Sequence, residues 1–222
     1  MKTRIAVFLG IGVLVLLSAC ARRPLDYYPL EEGYTWTYQD AGSEKFRTVE
    51  NFAPRKMDDQ RVVPQKITSG ESVSFLFAGR DRDGIYEYAF QDAGDAEPSP
   101  REEREWILKG PLKKDAAWEG ETSLTLLMEN IPYRISYTVE SLEETVTVPA
   151  GTFENCLKVR GRAVVKRERG VLGTLKVEVV HDRWFAPGTG LVKSLRKESG
   201  DHVLSTSREK LLQLTAFRKP GA

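Results

Sequence analysis

Arg134-Ile135-Ser136-Tyr137-Thr138-Val139 is apolar at every second residue: Ile135, Tyr137 and Val139 fall on one side, Arg134, Ser136 and Thr138 on the other. Side chains of an extended strand alternate between faces with a period of two, so this hexapeptide predicts a strand with one buried and one wet side. The same alternation recurs in both directions along the chain. Tyr34, Trp36 and Tyr38 oppose Thr35 and Thr37; Val73, Phe75 and Phe77 alternate with Ser72, Ser74 and Leu76; Tyr86, Tyr88 and Phe90 alternate with Glu87 and Ala89; Leu175, Val177 and Val179 oppose Lys176 and Glu178. Turn residues punctuate these runs at Ser69-Gly70, Asp83-Gly84, Pro149-Ala150-Gly151, Gly170 to Gly173, Pro187-Gly188-Thr189-Gly190 and Ser199-Gly200. No helical period of eleven residues or more appears outside the first twenty residues. The chain reads as all-β, an antiparallel sheet with one solvated face.

Those first residues, MKTRIAVFLGIGVLVLLSAC, are different in kind. Lys2 and Arg4 supply a positive start and Ile5 to Leu17 an apolar run of about 13 residues, too short for the roughly 20 that span a bilayer. Leu17-Ser18-Ala19-Cys20 resembles a bacterial lipobox. The resemblance implies cleavage before Cys20, diacylation of its sulfur and usually acylation (palmitate) of its amine; Ala21 after it, by resemblance to enterobacterial sorting, implies the outer membrane, on its periplasmic face. The expected organisation is a signal-peptide helix over 1–19, a lipidated tether over 20–30, and a single antiparallel β domain over 31–220.

Composition narrows the partners. Thirty-three basic and thirty-two acidic side chains nearly cancel, and they are interleaved, which argues against a nucleic-acid binder that tracks phosphates. With Cys20 carrying lipid, Cys156 is the only thiol left, so no internal disulfide can form. Packing alone must hold the fold.

A short repeat divides the β region. Pro29-Leu30-Glu31-Glu32-Gly33-Tyr34-Thr35-Trp36 matches Pro111-Leu112-Lys113-Lys114-Asp115-Ala116-Ala117-Trp118: Pro-Leu, two charges, a turn residue, two more residues, then Trp. Both copies lead from a proline-fixed extended segment into a strand whose first core residue is a large aromatic. Trp36 and Trp118 are thus expected to anchor two sub-sheets of one domain.

Three segments together, YYPLEEGYTWTY (Tyr27 to Tyr38) with its echo GPLKKDAAW (Gly110 to Trp118), TVTVPAGTFENCLKV (Thr145 to Val159) and WFAPGTGLVKS (Trp184 to Ser194), resemble a group of uncharacterised bacterial exported proteins and lipoproteins. The resemblance implies an antiparallel sheet, strongly curved into a partial barrel, and implies no activity. Asp115 departs from the family pattern, where glycine is usual. Pro149, Gly151 and Phe153, and likewise Pro187, Gly188 and Gly190, read as turn devices that set core side chains. Pro187-Gly188-Thr189-Gly190 should lay Trp184 and Phe185 opposite Leu191 and Val192.

Chemistry is harder to find. A Cys156, His181, Asp182 set for acyl transfer can be written down, yet nothing in the sequence gathers the three. Cys156 reads as a small buried hydrophobe. Strict alternation through Leu157 and Val159 would instead put it beside Lys158 and Arg160, a setting that lowers a thiol pKa, unless a bulge at Asn155 resets the phase. Asp81-Arg82-Asp83-Gly84 matches only a fragment of a calcium loop, because Gly79 and Phe90 fall where carboxylates are required. No cofactor and no metal are implied. The expected function is a non-enzymatic envelope lipoprotein, a membrane-anchored binding or scaffold module with an envelope protein partner. The alternatives are a carrier or sensor of an apolar ligand on a concave aromatic sheet and, more weakly, a thiol-dependent enzyme using Cys156.

Overall fold

The computed structural model describes residues 27–124, 131–168, 173–201 and 207–221. The signal segment, Cys20 and the stretch 21–26 lie outside the described residues. Within them the chain forms thirteen strands: β1 (Thr35–Asp40), β2 (Phe46–Asn51), β3 (Arg55–Met57), β4 (Gln60–Ser69), β5 (Ser72–Arg80), β6 (Gly84–Gln91), β7 (Ser99–Lys109), β8 (Ala117–Leu124), β9 (Ile131–Val148), β10 (Gly151–Glu168), β11 (Thr174–Ala186), β12 (Gly190–Gly200) and β13 (Arg208–Arg218). All pair antiparallel in one sheet, ordered β7-β6-β5-β4-β2-β1-β13-β12-β11-β10-β9-β8, with the short β3 beside β4. The sheet curls until its edges β7 and β8 meet, giving a nearly closed barrel. Side chains bridge that seam: Trp118 Nε1 donates to the Trp106 carbonyl at 3.3 Å, and Glu105 Oε2 accepts the Glu121 amide at 2.8 Å. The all-β, strongly curved expectation is what the molecule shows.

Two six-strand meanders make this ring, β1-β2-β4-β5-β6-β7 and β8 to β13, each closed onto the other at β1–β13 and at the β7–β8 seam. Their first hairpins correspond residue for residue. Trp36 faces Val49 and Trp118 faces Tyr137. Gly33 donates its amide to the Asn51 carbonyl while Asn51 donates back to Tyr34; Asp115 and Ala116 make the same two bonds with Val139, all at 2.9 Å. Gly33 (φ 86°) and Asp115 (φ 64°) both sit in the left-handed region. Aspartate tolerates that region better than most residues, so the departure from glycine leaves the turn intact. Leu30 and Leu112, equivalent in the repeat, are both buried.

The halves differ in length. β9 and β10 run 18 residues each, roughly 60 Å if straight, far more than a barrel wall requires. They bend at register breaks around Cys156, with Asn155 at φ 53°, and their tip folds back so that the Ala150 amide reaches the Leu214 carbonyl at 3.0 Å. Val146 and Val148 then bury with Trp36, Tyr38, Trp184, Val192 and Leu214 in a second core. The main core holds Ile135, Tyr137, Val139, Leu157, Val159, Val177 and Val179, the alternating residues read from the sequence.

Bulges are where simple alternation fails. In β6 the register shifts between Glu87 and Ala89, so Ala89 is fully buried opposite Phe77 and Tyr88 turns out to meet Asp58. The alternation of Tyr86, Tyr88 and Phe90 against Glu87 and Ala89 is therefore broken by one extra residue. A second shift after Trp184 pairs Trp184 with Lys193 and Phe185 with Leu191, so Trp184 does not face Val192. Ser199-Gly200, a turn by composition, continues β12 opposite Val177 and Glu178.

Candidate functional site

The last four residues of the expected tether over 20–30, Tyr27 to Leu30, are instead built into the core. Tyr27 is 1 % exposed and Leu30 5 %, Tyr27 joining the main cluster and Leu30 packing with Val63, Ala78 and Ile85. Tyr27 donates its hydroxyl to the Asn155 carbonyl at 3.3 Å. Tyr28 donates to Gln65 Oε1 at 2.6 Å, Gln65 donates to Asn51 Oδ1 at 2.7 Å, and the Asn51 amide donates to the Pro29 and Glu31 carbonyls at 3.1 Å. Burial pushes the Tyr28 phenol well above its ordinary range. A buried polar chain of this kind is expensive to leave half made, so it locks the segment in one place.

Alternation carries polar groups onto the core face. Register places Val179, His181, Arg183 and Phe185 on the same side of β11, opposite Ala163, Gly161, Val159 and Leu157. His181 bonds Ser194 Oγ at 2.9 Å and sets its edge on Tyr137. Burial, and then the charges of Arg183 and Arg196, push its pKa down to about 3, so the ring is neutral at physiological pH. Arg183 lies over the Tyr137 ring at 4.2 Å, and its Nε and Nη2 are sealed from solvent with no hydrogen-bond partner among the described residues. Across the seam, Glu105 and Glu87 are both pushed up from the usual carboxylate range by burial. Gly120 admits Glu105, since a Cβ there would come within 2.4 Å of its Oε1.

A strut crosses at the other end. Arg196 binds Glu198, which is 1 % exposed, at 2.6 Å, and also reaches Tyr133 Oη at 2.9 Å, Thr122 Oγ1 and the Ser123 carbonyl. It ties β12 to β8 and β9. The outer face carries a different network: Arg160 clamps Asp182 with two bonds of 2.6 and 2.7 Å and meets Glu140 at 3.0 Å, beside Lys158 at 3.1 Å.

The residues singled out by sequence are now placed. Cys20 lies outside the described residues. Trp36 and Trp118 are 4 % and 5 % exposed, and Trp36 Nε1 donates to the Thr189 carbonyl in the Pro187-Gly188-Thr189-Gly190 turn at 2.5 Å. Pro149 and Gly151 flank the β9–β10 tip, and Phe153 packs its edge on Phe217. Cys156 is fully buried, its thiol donating to the Phe153 carbonyl at 3.4 Å, and burial with Glu144 nearby pushes its pKa up to about 11. It stays on the Trp184 side of β10, packed with Val146, Val148 and Trp184, and the charge that acts on it is that of Glu144. Cys156, His181 and Asp182 do not assemble. His181 pairs with Gly161, five residues or roughly 16 Å along β10 from Cys156, and Asp182 points to the opposite face. Asp81 Oδ1 accepts the amides of Asp83 and Gly84, which makes Asp81 to Gly84 a hairpin turn.

No protein-family model matches the chain, and no curated protein matches it. Two solved structures share its outline. One, from Bacteroides fragilis, is described as an exported protein with a YmcC-like fold; it is 16 % identical with a TM-score of 0.42, over 87 % of this chain and 99 % of its own. The other, from Parabacteroides distasonis, is described as a lipoprotein; it is 14 % identical with a TM-score of 0.41, over 86 % of this chain and 98 % of its own. At that level of likeness neither says what this chain binds.

The concave aromatic face expected of an apolar carrier is occupied by the chain itself: Tyr27, Leu112, Trp118, Tyr137 and Phe185 fill it. A cleft of about 290 Å³ lies elsewhere, lined by Phe52, Ala53, Arg55, Pro64, Phe75, Phe77 and Gln91. Sequence reasoning missed this cleft, Arg183 and the role of Tyr27 to Leu30. Continuing the alternation of Val177 and Val179 by two further steps would have found Arg183.

Proposed function

We propose that the protein is a lipid-anchored envelope module of non-enzymatic type, whose β-barrel is held against the membrane and serves as a binding or scaffold surface there. The lipobox-like Leu17-Ser18-Ala19-Cys20 supports the anchor. The observation that carries the membrane-proximal reading is the locking of Tyr27 to Leu30 into the core, which leaves only six residues, Ala21 to Asp26, between Cys20 and the locked segment. Six residues span at most about 20 Å. Acyl chains contribute about 0.8 kcal/mol per buried methylene, enough for two or three of them to hold the domain stably, and Arg22 and Arg23 lie where lipid phosphates can meet them. Labelled palmitate should enter the wild-type chain and not Cys20→Ala. Equal labelling of both would remove the anchor and the reading with it.

A further inference from the structure

The cleft on the outer side of the first meander begins where the locked segment ends. Asn51, whose side-chain amide holds the Pro29 and Glu31 carbonyls, is followed directly by Phe52, and the Phe52 amide donates to the Pro64 carbonyl at 2.9 Å. Phe52 and Pro64 are both walls of the cleft. A continuous set of bonds therefore joins Pro29 and Glu31, two and four residues past Tyr27, to this surface. Phe52 stands out there, 41 % exposed beside the partly buried Phe75.

Arg55 lies across the Phe77 ring at 4.6 Å, at the rim of the same cleft. It is exposed and has no carboxylate partner among the described residues, and the same holds for Arg61 one hairpin step away. Lys56, between them in the hairpin, is held by Asp59 at 3.3 Å. An apolar floor with an unneutralised guanidinium at its rim matches an amphiphile with an anionic head. At about 290 Å³ the cleft falls at the lower edge of small-molecule pockets, room for one chain segment rather than an enclosed ligand.

We propose that this cleft docks a phospholipid of the leaflet that anchors the protein, its phosphate on Arg55 and an acyl segment against Phe52, Phe75 and Phe77. The occupant follows from reach: the link from lipid to Tyr27 is six residues, and the cleft adjoins the segment which that link enters. The proposal rests on the anchored reading above. It adds an orientation, with the outer side of β2 to β5 toward the bilayer and the outer side of β10 away from it. Val164, 55 % exposed on β10, marks the distant surface.

The test uses the full lipidated chain reconstituted into vesicles of phosphatidylcholine and phosphatidylglycerol, with and without bromine on the acyl chains. Emission added by Phe52→Trp over the wild type should lose a large part of its intensity in brominated vesicles, and emission added by Val164→Trp should not. Arg55→Gln placed on Phe52→Trp should weaken that quenching. Co-flotation with vesicles but no quenching of Phe52→Trp, or equal quenching of both reporters, overturns the docking and leaves the anchor standing. Failure of the wild type to co-float overturns the anchor, and the docking with it.

Discussion

The two meanders share an opening hairpin and little else. In β8 to β13 the strands are long, the main core gathers side chains from β8, β9, β10 and β11, and the folded-back β9–β10 tip adds a second core. In β1 to β7 the strands are shorter; Trp36 and Tyr38 join the second core and Leu108 the main one, and the rest of the packing is split into two small clusters, around Val63, Ala78 and Ile85 on one side and Val62, Phe77 and Ala89 on the other. Since stabilisation scales with apolar area removed from water, the second meander should carry most of the stability. The first keeps apolar surface free at Phe46 and Phe52, and surface left uncovered is available for contact. The same hairpin geometry thus opens one half with the larger cores and one half with the exposed phenylalanines.

That contrast is sharpest at the paired tryptophans. Trp118→Ala removes a ring tilted on Tyr137 at 5.8 Å and one of the bonds across the seam, and should cost about 3–5 kcal/mol, read as a lowered denaturant midpoint. Trp36→Ala, stacked on half-exposed Tyr34 at 5.4 Å, should cost less. The reverse order would break the assignment of stability to the second meander.

Acid should act on that half next. The folded state holds the His181 pKa near 3, below its ordinary 6.5, so the unfolded chain binds more protons between those values. Stability tied to neutral His181 is fully present above about pH 6.5 and is lost as pH falls toward 3. Thermal melts from pH 7 to 4 should therefore show a decline that His181→Gln flattens; an unchanged slope in the variant would place the titration elsewhere.

Arg183→Met should move stability the other way. A sealed donor left without a partner costs about 1–3 kcal/mol, and an apolar side chain that still covers Tyr137 and Phe185 should recover part of that. A lowered melting temperature would instead show that Arg183 is neutralised across the seam by Glu105 or Glu87. The smallest effect belongs to the contacting half: Phe52→Ser should change stability by no more than about 0.5 kcal/mol, as surface substitutions do. A loss of several times that value would make Phe52 part of the core.

Period-two alternation was enough to read the all-β fold, because one face of each strand is buried and the other is wet. It went astray where a bulge inserts a residue, at Tyr88 and at Val192, since an extra residue flips every later side chain and leaves no compositional mark. Cys156 keeps the phase alternation gives it, and what buries it, Val146 and Val148 from β9 and Trp184 from β11, is brought there only by the fold. Tyr27 and Tyr28 were hidden for another reason. Close behind a lipobox-like cysteine, aromatic residues look like part of a tether, and only long-range bonds to Asn155 and Gln65 make them core. The cleft was illegible because its walls come from β5, from the end of β6 and from the β2–β3 and β4 segments, brought together by topology alone.

Neutron reflectometry of the full lipidated chain on a supported bilayer tests the membrane-held barrel most directly. With Tyr27 to Leu30 locked and six residues between them and Cys20, the protein layer should begin within about 20 Å of the headgroups. A water layer thicker than that between headgroups and protein would contradict the account.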